Sequence, residues 1–483
     1  MQRFLGKNKP VSSKTFPTHR IVIIGGGPGG YEAARAGRQL GAEVILIEEN
    51  GIGGNAVLTD VVPSKTLIAT AEAAQRVAVA HSLGVDFSVD GKTVEPKIEI
   101  DFSAMNKRLL SLAKSQSEDM LTTLKKEGVR VIPGRARLDG NHHVIVQPTV
   151  GGEPERIESK TIIVATGAYP RELPAAKPDG ERILNWKQLY NLKELPEHMI
   201  VVGSGVTGAE FASAYLYLGS KVTLISSRDK VLPGSDEDAA DLIEDVFRRR
   251  GMQILNKARA EKVENIGNGV RVTLADGKTI EGSHALMAVG AIPNTQGLGL
   301  EEAGIKLNET GHIVVNKVAR TTRANVYAVG DCSTALPLAS VSAMQGRTAV
   351  YHTMGDVSSP TRLRNVASNV FTAPEIASVG WSQAEIEQGL VRGEVEKVML
   401  ETNPRAKMQG IREGFIKLFA SVGSGTVIGG VVVAPRASDL IYPIAMAIEN
   451  RLTVDQLART YTVYPSLSGS IAEAASALHQ PID

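Results

Sequence analysis

The chain carries one demanding local plan twice. Residues 21–24 form an apolar run that ends in Gly25-Gly26-Gly27-Pro28-Gly29-Gly30. A helix-compatible stretch then runs from Tyr31 to Leu40, Gly41 stops it, and a second apolar run, 44–47, ends at Glu48. The plan returns at residues 199–202, which lead into Gly203-Ser204-Gly205-Val206-Thr207-Gly208, a helix from Ala209 to Leu218, a stop at Gly219 and an apolar run at 222–225. The first glycine and the residue after the second strand are 23 positions apart in both copies, Gly25 to Glu48 and Gly203 to Ser226. Two strands joined through a helix pair in parallel, so the repeat predicts an α/β chain with two doubly wound halves.

The glycines explain what such halves can hold. A pyrophosphate brings charge that backbone N–H groups can meet only if no side chain intervenes. Gly25 and Gly203 suit the tight turn, Gly27 and Gly205 the close approach, and Gly30 and Gly208 the packing of helix on strand. Val206, in the second loop, is counted with these glycines among the cofactor contacts. The residue ending the second strand reads the ribose. Glu48 can accept from a 2′-hydroxyl and repels a 2′-phosphate, which suits FAD or NAD. Ser226, Ser227 and Arg228 offer two hydroxyls and a guanidinium, which suit a 2′-phosphate, so NADPH is expected to bind at least as well as NADH.

A length of 483 residues allows about three domains at ~150 residues each. Residues after 365 read differently, with strands at 414–419 and 427–433 around the turn Gly423-Ser424-Gly425, then helices at 438–450 and 467–478. No phosphate loop occurs there, which predicts an α+β third domain. Between the loops, residues 62–127 show helical periodicity in two stretches. Arg248-Arg249-Arg250 closes a helix opened by Asp236, Glu237 and Asp238, and is expected to be a solvated helix end.

Charge and cysteine usage exclude whole classes. Lys+Arg is 53 against 52 for Asp+Glu, so there is no basic footprint for nucleic acid. The single cysteine, Cys332, forbids an internal disulfide, a thiolate zinc site and a CxxC pair, and is expected to be a small buried thiol. His142 and His143 are adjacent in a strand-like run and point apart, and no HExxH occurs, so no metal site is expected. No apolar run nears the ~18 residues of a membrane span. The first twenty residues carry Arg3, Lys7, Lys9, Lys14 and Arg20 and no acid. They are expected to form a tail rather than a targeting segment, and a cytoplasmic location is expected.

With these residues on the page, the chain resembles the pyridine-nucleotide disulfide oxidoreductases of the dihydrolipoamide dehydrogenase type, from about residue 20 to 479. The two loops, Ile162-Ile163-Val164-Ala165-Thr166-Gly167, Val326-Tyr327-Ala328-Val329-Gly330-Asp331 and Gly414-Phe415-Ile416-Lys417-Leu418 carry it. The resemblance implies an FAD-binding domain at 1–160 and 290–362, an NAD(P)H-binding domain at 161–289, and a homodimer-forming domain at 363–483. It places Asp331 on the flavin ribityl chain, Lys65 near flavin N5 and Glu210 as the ion-pair partner of Lys65 near the nicotinamide. It counts Gly54, Asn55, Ala136, Thr166, Gly167, Gly290 and Ala339 among the cofactor contacts. Independently, Glu210 sits on an apolar helix face beside Ala209, Phe211 and Ala212, where a carboxylate is costly unless paired.

The departures are selective. The family carries two cysteines between its Gly-Gly and Pro-Ser-Lys, and a His and Glu five residues apart near the C-terminus. This chain reads Gly53-Gly54-Asn55-Ala56-Val57-Leu58-Thr59-Asp60-Val61-Val62-Pro63-Ser64-Lys65, with Ala56 and Val61 at the cysteine positions. Tyr464 and Gly469 stand at the His and Glu positions. Sulfur is the nucleophile and imidazole its acid and base in disulfide reduction, and neither remains. The expected activity is therefore hydride transfer from NADPH or NADH to FAD and then to a planar acceptor such as a quinone, as in the family's disulfide-lacking quinone reductases. Tyr464 from the other subunit is expected either to donate to a quinone oxygen or to cap the site. Transhydrogenation between pyridine nucleotides and a silent flavoprotein scaffold are the alternatives.

Overall fold

A computed structural model describes residues 19–357 and 359–479. The basic segment before residue 19 lies outside these residues. In the first unit, β1 (Arg20–Ile24) leads through α1 (Pro28–Gln39) to β2 (Glu43–Glu48). Two long helices follow, α2 (Val61–Val79) and α3 (Phe102–Lys126), and later β3 (Thr161–Val164). Strand β1 pairs in parallel with β2 on one side and β3 on the other, Ile21 lying opposite both Val44 and Thr161. The sheet order reverses between β1 and β3, so the loop after β1 opens at a topological switch point, where such sheets bind ligands. Both faces of this sheet are covered. Ile21, Ile23, Leu46 and Ile163 pack on one side, and Val22, Ile24, Ile45, Ile47, Ile162 and Val164 on the other. Continuous apolar runs are what a parallel sheet buried on both faces requires.

The second unit repeats the arrangement. Strand β4 (His198–Val202) leads through α4 (Val206–Leu218) to β5 (Lys221–Ile225), α5 (Glu237–Arg249) follows, and β6 (His284–Met287) returns to the far side of β4. The third unit is a five-stranded sheet of 368–370, 375–380, 427–434, 415–421 and 393–399, antiparallel throughout. Helices Ala437–Glu449, Val454–Arg459 and Gly469–Ala477 accompany it. This is the α+β third domain that the pattern predicts.

Two sequence expectations need correction. The division at residue 161 falls inside the first sheet. Strand β3 lies between β1 and strand Val326–Ala328, and strand Ala168–Pro170 pairs with Ala291–Pro293, so residues 161–170 belong with the first unit. Arg248-Arg249-Arg250 is more than a solvated helix end, since Arg248 and Arg249 are exposed but the run also reaches the third unit. Arg249 and Arg250 pair with Glu413 of the third unit at 2.8 and 3.4 Å, and Arg250 stacks on Tyr217 and donates to the Ala373 carbonyl. A second clamp joins the same units, where buried Lys417 donates to Asp236 at 2.9 Å.

One core runs through all three units. Leu67 and Ala71 of α2, Phe102 and Leu109 of α3, Phe211 and Tyr215 of α4, and Phe415 and Phe419 of the third sheet share it. That packing lays α2 against α4 and brings Lys65 of one to Glu210 of the other. Among the described residues no helix is long and apolar enough to cross a membrane.

Candidate active site

The two loops repeat each other in geometry as well as in sequence. Gly25 and Gly203 hold φ of +106° and +111°, and a Cβ on either meets a backbone carbonyl oxygen at 2.3 Å, of Ala165 and of Ala288. A Cβ on Gly30 falls 1.9 Å from the Gly25 oxygen, and one on Gly208 falls 1.8 Å from the Gly203 oxygen. The middle glycines differ in kind. A Cβ on Gly27 or Gly205 meets nothing within 4 Å. Both cap a helix with no side chain accepting from its first N–H groups. Each loop thus presents a bare, positively polarised helix start to open space, the cradle a pyrophosphate fits. Val206, half exposed, stands at the rim of the second.

At the strand ends the copies part. Glu48 accepts from the Gly26 N–H at 2.6 Å and the Asn50 N–H at 2.7 Å, which holds its carboxylate beside the first loop with lone pairs left for a ribose. Ser226 is fully buried, and its hydroxyl is engaged by Ser204 Oγ at 2.7 Å and by the Arg228 N–H at 3.1 Å. The expectation that Ser226 meets a 2′-phosphate is therefore corrected. It shapes the turn, and Ser227 and Arg228 are exposed at a cleft of about 490 Å³ shared with Lys230. Lys230 is held there by Glu237 at 2.9 Å and Asp241 at 2.6 Å.

Between the loops lies the expected ion pair. Lys65 Nζ donates to Glu210 Oε2 at 2.7 Å, and Glu210 Oε1 accepts from the Phe371 N–H at 2.9 Å. Lys65 also rests over the Phe371 ring, 4.8 Å from its centre. The Glu210 side chain is only 6% exposed, so α4 can carry it because Lys65 and Phe371 compensate its charge. The cysteine positions Ala56 and Val61 lie one turn and more before Lys65, in helix Gly54–Leu58 and at the start of α2.

The remaining residues frame the same space. Asp331 lies in the turn Gly330–Cys332 with no hydrogen-bond partner among the described residues, and burial raises its carboxyl above the usual carboxylate range. Cys332 is wholly buried and donates to the Val329 carbonyl at 3.3 Å, the small buried thiol expected. Asn55 Nδ2 donates to the Ala168 carbonyl at 2.6 Å and so ties helix Gly54–Leu58 to the segment after Gly167. Thr166 Oγ1 is occupied by the Asn294 carbonyl at 2.7 Å, which locks the crossover between units. Gly167 and Gly290 hold φ of +67° and +98° at the two ends of that crossover. Ala136 sits in the strand Arg130–Asp139, and Ala339 is exposed at the first position of the helix Ala339–Met354. Tyr464 is not brought to Lys65 within the chain. It is 82% exposed, beside the equally open Tyr461 and Val463.

Sequence reasoning missed one group. Asp60 immediately precedes Val61 and is the residue from which α2 starts, yet its carboxylate accepts none of the helix N–H groups. Burial raises it above the usual carboxylate range; Lys65 and Lys187 oppose that, while Glu210 and Asp331 add to it. The available signal was an acid between the apolar pairs Val57-Leu58 and Val61-Val62.

Known proteins share this fold. Residues 19–346 match the family described as pyridine nucleotide-disulphide oxidoreductase, and residues 366–475 match its dimerisation domain. The chain is 51% identical over 476 residues to an NAD(P)H dehydrogenase (quinone) of Mycobacterium tuberculosis, covering 96% of this chain and 95% of that one. It is 32% identical over 467 residues to a dihydrolipoyl dehydrogenase of Chlamydia trachomatis, covering 95% and 98%. Among solved structures, LpdA of Mycobacterium tuberculosis superposes with a TM-score of 0.91 at 49% identity, covering 96% of this chain and all of that one. The HOCl-induced flavoprotein disulfide reductase RclA of Escherichia coli superposes with a TM-score of 0.83 at 26% identity, covering 95% and 99%.

Proposed function

The chain belongs to the pyridine nucleotide-disulphide oxidoreductases, and from that premise we infer that it oxidises NAD(P)H through bound FAD and delivers the electrons to a quinone-type acceptor. One observation carries the reading. The Lys65–Glu210 pair and both dinucleotide cradles are intact, while Ala56 and Val61 stand where a disulfide relay needs sulfur. When bound, FAD would supply the two-electron relay between NAD(P)H and the acceptor.

The first loop, Gly25, Gly27 and Gly30 with Glu48, holds the FAD adenosine and pyrophosphate. Asp331 binds its ribityl hydroxyls. The second loop, Gly203, Gly205 and Gly208, holds the NAD(P)H pyrophosphate, and Ser227 and Arg228 meet the 2′-phosphate of NADPH. Lys65 stands near the flavin ring, positioned by Glu210. Ala56 and Val61 leave an apolar face for a planar acceptor, and a disulfide substrate finds no thiol there. The dimerisation domain makes a homodimer in which Tyr464 of one copy caps the acceptor face of the other. A cytoplasmic location belongs to the same reading, and cell fractionation tests it.

Anaerobic mixing of the yellow holoprotein with NADPH, followed by a soluble benzoquinone, decides the matter. Bleaching followed by rapid return of colour is the expected result. Bleaching without return removes the quinone assignment and favours transfer to a second pyridine nucleotide.

A further inference from the structure

We propose that Asp60 is the proton donor to the quinone oxygen in the oxidative half-reaction, the role for which this chain has no histidine. The proposal rests on the quinone reading above.

The stoichiometry requires such a donor. NAD(P)H plus a proton plus quinone gives NAD(P)+ plus hydroquinone. The hydride brings two electrons and one proton, so one proton must come from elsewhere. In the proposed step the Asp60 O–H bond breaks, its proton forms the second O–H bond of the hydroquinone, and a carboxylate remains. A solvent proton then restores the acid.

Placement singles out Asp60. It directly precedes Val61, one of the two cysteine positions, and it lies within electrostatic reach of Lys65, Glu210 and Asp331 at once. Those three come from three separate elements and, on the reading above, would line the flavin site. The ion pair beside it is already committed. Lys65 and Glu210 are bound to each other, with Phe371 completing their shell. Tyr464 is 82% exposed within the chain, and its part in the reading above is to cap the acceptor face from the other copy. Asp60, by contrast, has no hydrogen bond or ion pair to its side chain among the described residues, although helix N–H groups lie next to it. A carboxyl that ignores its nearest donors and carries no partner is cheaper protonated than ionised when little water reaches it. Its surroundings hold it there. Lys187 and Tyr190 face it from the segment 185–191, Lys65 from α2, Glu210 from α4 and Asp331 from the turn after 329. Burial lowers the half-buried Lys187, whose charge opposes the rise at Asp60. Asp60 keeps an edge to solvent, which allows it to be reprotonated.

The test compares two acceptors on anaerobically reduced holoenzyme. Benzoquinone needs the proton and ferricyanide does not. In Asp60→Asn the ratio of ferricyanide to quinone reoxidation rates is expected to rise at least about tenfold, within the range of general acid catalysis. The wild-type quinone rate should fall as pH rises and Asp60 ionises. The Asn variant should lose that dependence and Asp60→Glu should regain it. A second readout needs no turnover. Infrared difference spectra of wild type minus Asp60→Asn should show a protonated carboxyl at about pH 5, where an ordinary aspartate is ionised. An absent carboxyl band, or equal slowing of both acceptors, overturns the proposal. If ferricyanide reoxidises wild type but quinone does not, the quinone reading itself falls and takes this role with it. If quinone reoxidises wild type and Asp60→Asn equally, only the role of Asp60 falls.

Discussion

The first and second phosphate loops agree to a tenth of an ångström in where a Cβ on their outer glycines would collide, yet the residues at their strand ends behave oppositely. Glu48 turns toward its loop and braces it through the Gly26 N–H, while the Asn50 N–H holds its other oxygen. Ser226, at the equivalent position, turns into the protein and leaves recognition to its exposed successors. The part of the repeat that meets a pyrophosphate is common to both ligands and is held by backbone sterics. The part that meets a ribose must differ between ligands, and there the backbone imposes nothing. On the proposed reading, choice between nucleotides falls to one turn, residues 227–230, rather than to the glycines.

The largest effects should separate the glycines by position. Gly30→Ala and Gly208→Ala drive a methyl to within 2 Å of a carbonyl oxygen that cannot withdraw without unseating its strand. A cost above about 3 kcal/mol and loss of soluble, flavin-loaded protein are expected for either. Gly27→Ala and Gly205→Ala place the same methyl in open space at φ of −63° and −71°, so stability should stay within about 1 kcal/mol of wild type. Their damage falls on the ligand. Gly27→Ala should retain less FAD after gel filtration, and Gly205→Ala should bind NADPH more weakly with its flavin content intact. Melting temperature alongside flavin content distinguishes the two kinds. Equal destabilisation by all four would show that the middle glycines are also packing residues.

The sequence exposes what depends on local sterics and hides what depends on which neighbour arrives. The strands, both loops and the helices after them are legible because glycine at a forced turn and an unbroken apolar run leave few alternatives. The Lys65–Glu210 pair is legible because a carboxylate on an apolar helix face needs a cation. Strand β3 is a fully buried run that looks the same in either unit, and only its pairing with β1 and with Val326–Ala328 assigns it to the first. Arg250 ends a helix whose acidic start and basic finish satisfy its own dipole, so nothing local announces Glu413 or Tyr217. Ser226 is hidden for a related reason, since a serine at a strand end points inward or outward according to the turn that follows. Asp60 reads as an ordinary helix start until its unused cap geometry is seen.

A medium effect tests the turn directly. Arg228 is exposed at the cleft beside the second loop, and Arg228→Ala should raise the KM for NADPH about tenfold, or about 1.4 kcal/mol, and that for NADH by less than about twofold. The NADPH penalty should shrink as salt is added, because an exposed guanidinium–phosphate contact is screened. A variant that weakens both nucleotides alike would move Arg228 from the 2′-phosphate to the pyrophosphate.

The smallest effect bears on the sharpest difference between the loops. Ser226→Ala removes a hydroxyl that links Ser204 Oγ to the Arg228 N–H, leaving both short of a partner in a buried turn. A loss of about 1 kcal/mol in stability is expected, while the ratio of NADPH to NADH efficiency should change by less than about twofold. Denaturant unfolding measures the first and steady-state kinetics the second. If the nucleotide ratio falls as far as in Arg228→Ala, the hydroxyl reaches the ligand after the turn rearranges on binding. The two strand ends would then be alike in reading their riboses directly, and the opposite orientations of Glu48 and Ser226 would belong to the ligand-free chain alone.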